Sequence, residues 1–137
     1  MTFDPRTIGT PVYEALNGLR GNLPDTDKTV KQQKSQAVEL YTYLSTWGMM
    51  RLKAEESALS NGMDGKKQVV HSFFKCLENL SEQQNLANNQ GLMTLKNLST
   101  SEYLGLTGLG LAVAREFSFW ATAVYHDVSG DDGAEGS

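Results

Sequence analysis

From residue 29 to residue 126 the apolar side chains recur at steps of three and four, and no segment alternates with a period of two. That rhythm confines the chain to helices, because a helix face returns about every 3.6 residues and a strand face every second one. Val69-Val70 and Val12 are too isolated to seed strands. The first helical pattern spans about 29–57. Val30, Ala37, Tyr41, Leu44, Gly48 and Leu52 lie on one face, Asp27 or Thr29 can cap the start, and Asn61-Gly62 supplies turn chemistry at the end. Gly48 is the weak point, since glycine costs about 1 kcal/mol relative to alanine inside a helix.

A second pattern covers about 66–84, with Val69 or Val70, Phe73, Phe74, Leu77 and Leu80 as a wide apolar stripe and Asp64 as its expected cap. It dissolves into the amide-rich run Gln83 to Gln90, which reads as a loop anchored by Leu86. A short helix over Leu92 to Asn97 follows. The third long helix is the best signalled. Ser99 and Glu102 have capping-box spacing, and Tyr103, Leu106, Val113, Phe117, Trp120 and Val124 hold phase to about His126. Gly105, Gly108 and Gly110 sit early in it, either for close approach of another helix or as local looseness. Tyr43, Met50 and Phe119 fall off the main stripes and suit an exposed apolar surface.

The expected fold class is therefore all-α, a small helical bundle of three long helices plus short helices. Residues 1–27 hold Pro5, Gly9, Pro11, Gly18, Gly21 and Pro24 and read as an N-terminal arm or linker, with only Val12 to Leu19 able to form a short helix. Residues 28–127 read as the helical bundle domain, and 128–137 as a disordered acidic tail. The 137-residue chain is long enough for a core without metal or disulfide staples.

Catalytic chemistry is hard to assemble from these residues. Cys76, the single cysteine, lies among Phe73, Phe74 and Leu77 and reads as a buried, inert thiol. His71 and His126 lack partners at metal-ligand spacing and read as structural or solvated histidines. Glu55-Glu56 and Asp131-Asp132 are adjacent pairs whose side chains diverge. No nucleophile elbow, phosphate loop or dinucleotide motif is present. The expectation is a protein that is not an enzyme, with no metal and no cofactor. The apolar-leaning stretch Leu104 to Val124 is interrupted by Arg115 and Glu116, so no membrane span is expected. The N-terminus lacks the pattern of a signal peptide, and a cytoplasmic location is the expectation.

The net charge is −4. Between Thr26 and Phe117, however, ten basic residues face nine acidic ones, so the acidic excess belongs to the tails. Lys31 and Lys34 share a helix face that Lys28 extends, and Arg51 and Lys53 add charge further along. Lys66-Lys67 opens the second helix, where lysines beside N-terminal N–H groups suit an anion; ordinary solvated lysine is the plain alternative.

Ser101-Glu102-Tyr103-Leu104-x-Leu106-Thr107, followed by Leu111, Ala112 and Trp120-Ala121, resembles the last helix of the small subunits of CRISPR effector complexes, those of type III-B included. Upstream, the basic-starting helix that reaches Leu44-x-x-Trp47-Gly48-Met49-Met50 and the apolar helix after it follow a similar order. The resemblance, to a small subunit of a type I or type III complex, implies a non-enzymatic helical bundle of antiviral defence. It implies several copies stacked on each other and on the backbone and large subunits. It further implies phosphate contacts to guide RNA and target nucleic acid, in the guide–target duplex or the displaced strand. Lys28, Lys31, Lys34, Arg51, Lys53, Lys66 and Lys67, with Arg115, are the expected nucleic-acid-binding residues. The alternative is a helical adaptor or assembly protein that contacts only other proteins.

Overall fold

The computed structural model describes residues 6–59 and 62–129. Six helices order these residues: α1 (Arg6–Arg20), α2 (Lys28–Trp47), α3 (Met49–Ala58), α4 (Asp64–Ser81), α5 (Gly91–Asn97) and α6 (Thr100–Val124). Among the described residues there is no strand. The fold is the expected all-α bundle, with α2, α4 and α6 as its long members.

The first expected helix is two. Gly48 takes φ +88°, a left-handed value that side-chain-bearing residues avoid, and so ends α2 and starts α3. The Met50 N–H at the new helix start donates to the Tyr103 hydroxyl at 3.4 Å, so α6 helps to hold the break. At the start of α2, Asp27 is the cap: its Oδ1 accepts from Thr29 N at 2.8 Å and Val30 N at 3.2 Å. Asp64 is the first residue of α4 and not its cap. The cap comes from α2, where buried Gln32 accepts from Gly65 N at 2.9 Å through Oε1 and donates to the Gly62 carbonyl through Nε2. Gly65 permits this approach, since a Cβ there would lie 2.3 Å from Thr29 O.

Residues 6–20 are not an arm. They form α1, which packs on α6 and α4 with Ile8, Val12 and Leu16 buried. Gly9 and Pro11 depress intrinsic helicity, and the sequence reading weighted them too heavily. Burying each aliphatic side chain contributes about 1.5–3 kcal/mol, which tertiary packing adds and propensity omits. The C-terminal boundary also moves. Val128 is buried, its N–H bonds Tyr125 O at 2.9 Å, and its carbonyl accepts from Lys34 Nζ. The rest of the expected tail, from residue 130, lies outside the described residues, as does Asn61 of the expected turn.

α6 is the central helix and packs against α1, α2 and α4. It runs antiparallel to α2, with Ser118 beside Ala37 and Tyr41 and Tyr125 beside Gln33. It runs parallel to α1, with Trp120 beside Gly9 and Asp127 beside Arg20. The Ser99–Glu102 capping box is formed in both directions, at 3.1 and 2.9 Å. Phe73 stacks edge to face with Phe74 and Phe117 in the core, at centroid distances of 5.0 and 6.1 Å.

Candidate nucleic-acid interface

The abutting first turns of α2 and α4 bring Lys28, Lys31, Lys66 and Lys67 to one pole of the bundle. Lys28 is exposed and the other three are half-exposed. The N–H groups that were to complete an anion cradle there are spent. Gly65 N goes to Gln32, and Lys66 N and Lys67 N both donate to Met63 O at 3.1 Å. The pole therefore presents lysine side chains rather than helix-terminal N–H groups.

The other expected contacts disperse. Lys34 is tied to the Val128 carbonyl. Arg51 stands over the Trp47 ring at 4.1 Å, beside the Gly48 break. Arg115 lies 4.9 Å over Tyr41 and donates to its hydroxyl at 3.0 Å. Lys53 is 5% exposed and cannot reach a phosphate backbone. Its Nζ donates to Glu56 Oε1 at 2.8 Å and Ala87 O at 2.9 Å, over the Phe74 ring. A buried ammonium needs such a partner set, and here it pins the 82–90 loop to α3.

Two residues that the sequence reading passed over complete a row on α4. Lys67, His71 and Lys75 recur at steps of four, which places them about 6 Å apart along one helix face. The spacing carries that signal; His71 is solvated, one of its two expected states, and Lys75 had no expected role. Their side chains are open to solvent, 56% for His71 and 62% for Lys75. Beside the row lie two clefts of about 300 Å³ each that meet at Ala87 and Asn88, with Gln84, Asn88 and Asn89 on the far wall.

Two carboxylates near this row, Glu56 and Glu78, are engaged by the fold. Glu56 takes the Lys53 ammonium and stands 4.0 Å from His71 Nδ1. Glu78 Oε2 accepts from Leu86 N at 2.7 Å and Ala87 N at 3.0 Å, and Lys75 Nζ stands 3.6 Å from its Oε1. Burial works to raise the Glu78 carboxyl. The Ala87 and Leu86 N–H groups with Lys75 outweigh it, so the group lies below the ordinary carboxylate value and stays ionised. The same bonds tie down the amide-rich loop. Asn88 also bonds Asn85 and Gln90 within it, and Leu86 is fully buried.

Among the described residues no group of three or more His, Cys, Asp or Glu side chains is placed to hold a metal, and no helix is long and apolar enough to cross a membrane. No protein-family model matches the chain, and neither a characterised protein nor a solved structure is significantly similar to it.

Proposed function

We propose that the chain is a non-enzymatic small subunit of an RNA-guided CRISPR effector complex, cytoplasmic and active in antiviral defence. In this reading several copies stack along the backbone and large subunits and hold a nucleic-acid strand by its phosphates. The Lys67–His71–Lys75 row is the observation that carries it. Its members stand about 6 Å apart along one exposed helix face, so each can meet a different phosphate, and Glu56 and Glu78 beside it also hold bonds within the fold. The polar lysines Lys28, Lys31 and Lys66 extend the row around the start of α4. The Ser101-to-Thr107 resemblance supplies the class of complex. The non-enzymatic part is supported by Cys76, whose burial pushes its thiol up to about 11, away from nucleophilic use.

The test is fluorescence polarisation of a labelled single-stranded RNA as salt is raised. Binding is expected to weaken steeply with salt, and Lys67→Glu combined with Lys75→Glu is expected to abolish it at 150 mM salt, about physiological ionic strength. Salt-independent binding, or binding indifferent to both charge reversals, overturns the reading. A second reading, docking to protein alone, is favoured by the outer side of α6, where Leu104 and Phe119 are exposed. It expects Phe119→Asp to disrupt assembly of the complex and the α4 reversals to leave it intact.

A further inference from the structure

The groove between α1 and α6 lies apart from the α4 row and has a different chemistry. It encloses about 500 Å³ and is lined by Arg6, Gly9, Thr10, Tyr13, Glu116 and Trp120. That size falls within the range of about 300–1,000 Å³ typical of small-molecule sites. Two aromatic rings form its wall, Tyr13 and Trp120, with centroids 5.4 Å apart at 60°. The polar atom of the indole is already used, because Trp120 Nε1 donates to Glu116 Oε1 at 2.9 Å. Trp120 thus meets a ligand through its ring rather than its N–H, and the hydrogen bond fixes the Glu116 carboxylate beside the indole. Gly9 makes room for both groups: a Cβ there would stand 3.1 Å from Glu116 Oε1 and 3.3 Å from Trp120 Nε1.

The groove carries one group of each sign, and this limits its occupant. A simple cation suits Glu116 but meets Arg6, and a simple anion suits Arg6 but meets Glu116. A nucleotide presents a flat base with N–H donors at one end and a phosphate at the other. A carboxylate only accepts hydrogen bonds. Guanine is the base whose pairing edge offers two adjacent donors, N1–H and the N2 amino group. Adenine places an acceptor, N1, beside its amino group and turns a lone pair toward the carboxylate.

We propose that the α1–α6 groove binds a guanosine phosphate unit, with the base stacked on Trp120 and flanked by Tyr13, its donor edge on Glu116 and its phosphate toward Arg6. Aromatic stacking accepts any base, so the stack supplies affinity and Glu116 supplies the choice of base. The unit comes either from a free nucleotide or from an unpaired guanosine in a single strand. The site is independent of the α4 row and of the CRISPR reading.

Trp120 reports on its own site once Trp47 is replaced by Phe. In that background GMP, AMP and oligouridylate with and without one internal guanosine are titrated against the full chain, following indole fluorescence. GMP or the guanosine-bearing strand is expected to quench saturably, at least about tenfold tighter than AMP or plain oligouridylate. Quenching by GMP alone assigns the free nucleotide, and quenching by the guanosine-bearing strand alone assigns the strand. Glu116→Gln keeps an acceptor for Trp120 Nε1 but adds an amide donor, and is expected to erase the preference for guanine. Tyr13→Ala, at an exposed position, is expected to weaken every base alike. No saturable quenching by any guanine ligand overturns the proposal, as does binding of GMP no tighter than AMP where GMP quenches, or of the guanosine-bearing strand no tighter than plain oligouridylate where the strand quenches, or a guanine preference that survives Glu116→Gln.

Discussion

The Tyr125 hydroxyl donates to Gln33 Oε1 at 2.8 Å inside the bundle, where Tyr125 is fully buried and Gln33 1% exposed. Gln33 Nε2 in turn donates to Gln68 Oε1 at 2.8 Å and to Leu19 O at 3.3 Å. One amide thus joins α1, α2, α4 and the end of α6, and burial pushes the Tyr125 phenol well above its usual range. Tyr125→Phe is expected to cost about 1 kcal/mol, the net worth of one hydrogen bond. Gln33→Leu is expected to cost more, about 2–4 kcal/mol, because it strands the fully buried Tyr125 hydroxyl and also severs the links to Gln68 and Leu19. Urea denaturation of both variants checks the order. Equal losses would remove Gln33 from its place as the shared partner.

The glycines separate by what surrounds them. A Cβ at Gly65 would meet Thr29 O at 2.3 Å and Gln33 N at 3.1 Å, both unyielding backbone atoms. Gly65→Ala is expected to destabilise by about 1–3 kcal/mol as α2 and α4 are forced apart. Gly105 and Gly108 have nothing within 4 Å of an added Cβ. Gly105→Ala and Gly108→Ala are each expected to stabilise by up to about 1 kcal/mol through helix propensity. Thermal midpoints of the three variants decide this, and a fall for Gly108→Ala in the isolated chain contradicts the open-space assignment.

Those glycines also mark how far the sequence could be read. Periodicity located α4, α5 and α6 to within a few residues and merged α2 with α3, and the Ser99–Glu102 spacing located a cap that is formed. Near Gly105, Gly108 and Gly110 the sequence left close approach and looseness open. The structure divides them, for only Gly110 is tightly packed, its Cβ position 3.1 Å from Met49 Sδ. α1 was missed because propensity is local and its compensation, the burial of Ile8, Val12 and Leu16, is not. The basic residues were legible as charges but not as positions. Lys53 differs from Lys67 only in what the fold lays over it, a loop whose Ala87 carbonyl takes its ammonium.

Cys76 tests the same burial argument chemically. Its thiol rises from 9.0 to about 11 through desolvation. At pH 8 the thiolate is therefore about a hundredfold scarcer than in an ordinary cysteine, before access is counted. Alkylation of the folded chain by iodoacetamide at pH 8 is expected to be at least that much slower than in 6 M guanidinium, taken as about the concentration that unfolds even very stable domains. Comparable rates in the two conditions would place the thiol at the surface.

The ion pair that closes the C-terminal end gives a pH signature. Arg20 Nη1 stands 2.7 Å from Asp127 Oδ1, and Nη2 stands 3.0 Å from Oδ2. The hydrogen bond from Arg20 draws the Asp127 carboxyl from 3.8 down to about 2. A carboxyl lowered on folding contributes stability that is complete above its unfolded value and is lost as pH falls toward the folded one. The contribution should therefore fade between about pH 4 and pH 2. Asp127→Asn is expected to melt below the parent at pH 6 and to converge with it near pH 2. Parallel melting curves across that window would mean that the pair carries no net stability, as many solvent-exposed pairs do.

The α4 row makes a quantitative claim about salt. If Lys67, Lys75 and one lysine of the Lys28–Lys31–Lys66 pole each neutralise a phosphate on a single strand, log K is expected to fall with log salt at a slope of about −2. Lys75→Gln is expected to flatten that slope by about 0.7 and to weaken binding equally for all sequences, because phosphate contacts position a strand without reading it. Arg51→Gln, beside the Gly48 break and occupied with the Trp47 ring, is expected to leave the slope unchanged. A slope that follows Arg51 instead of Lys75 would move the strand from the α4 row to the α2–α3 break.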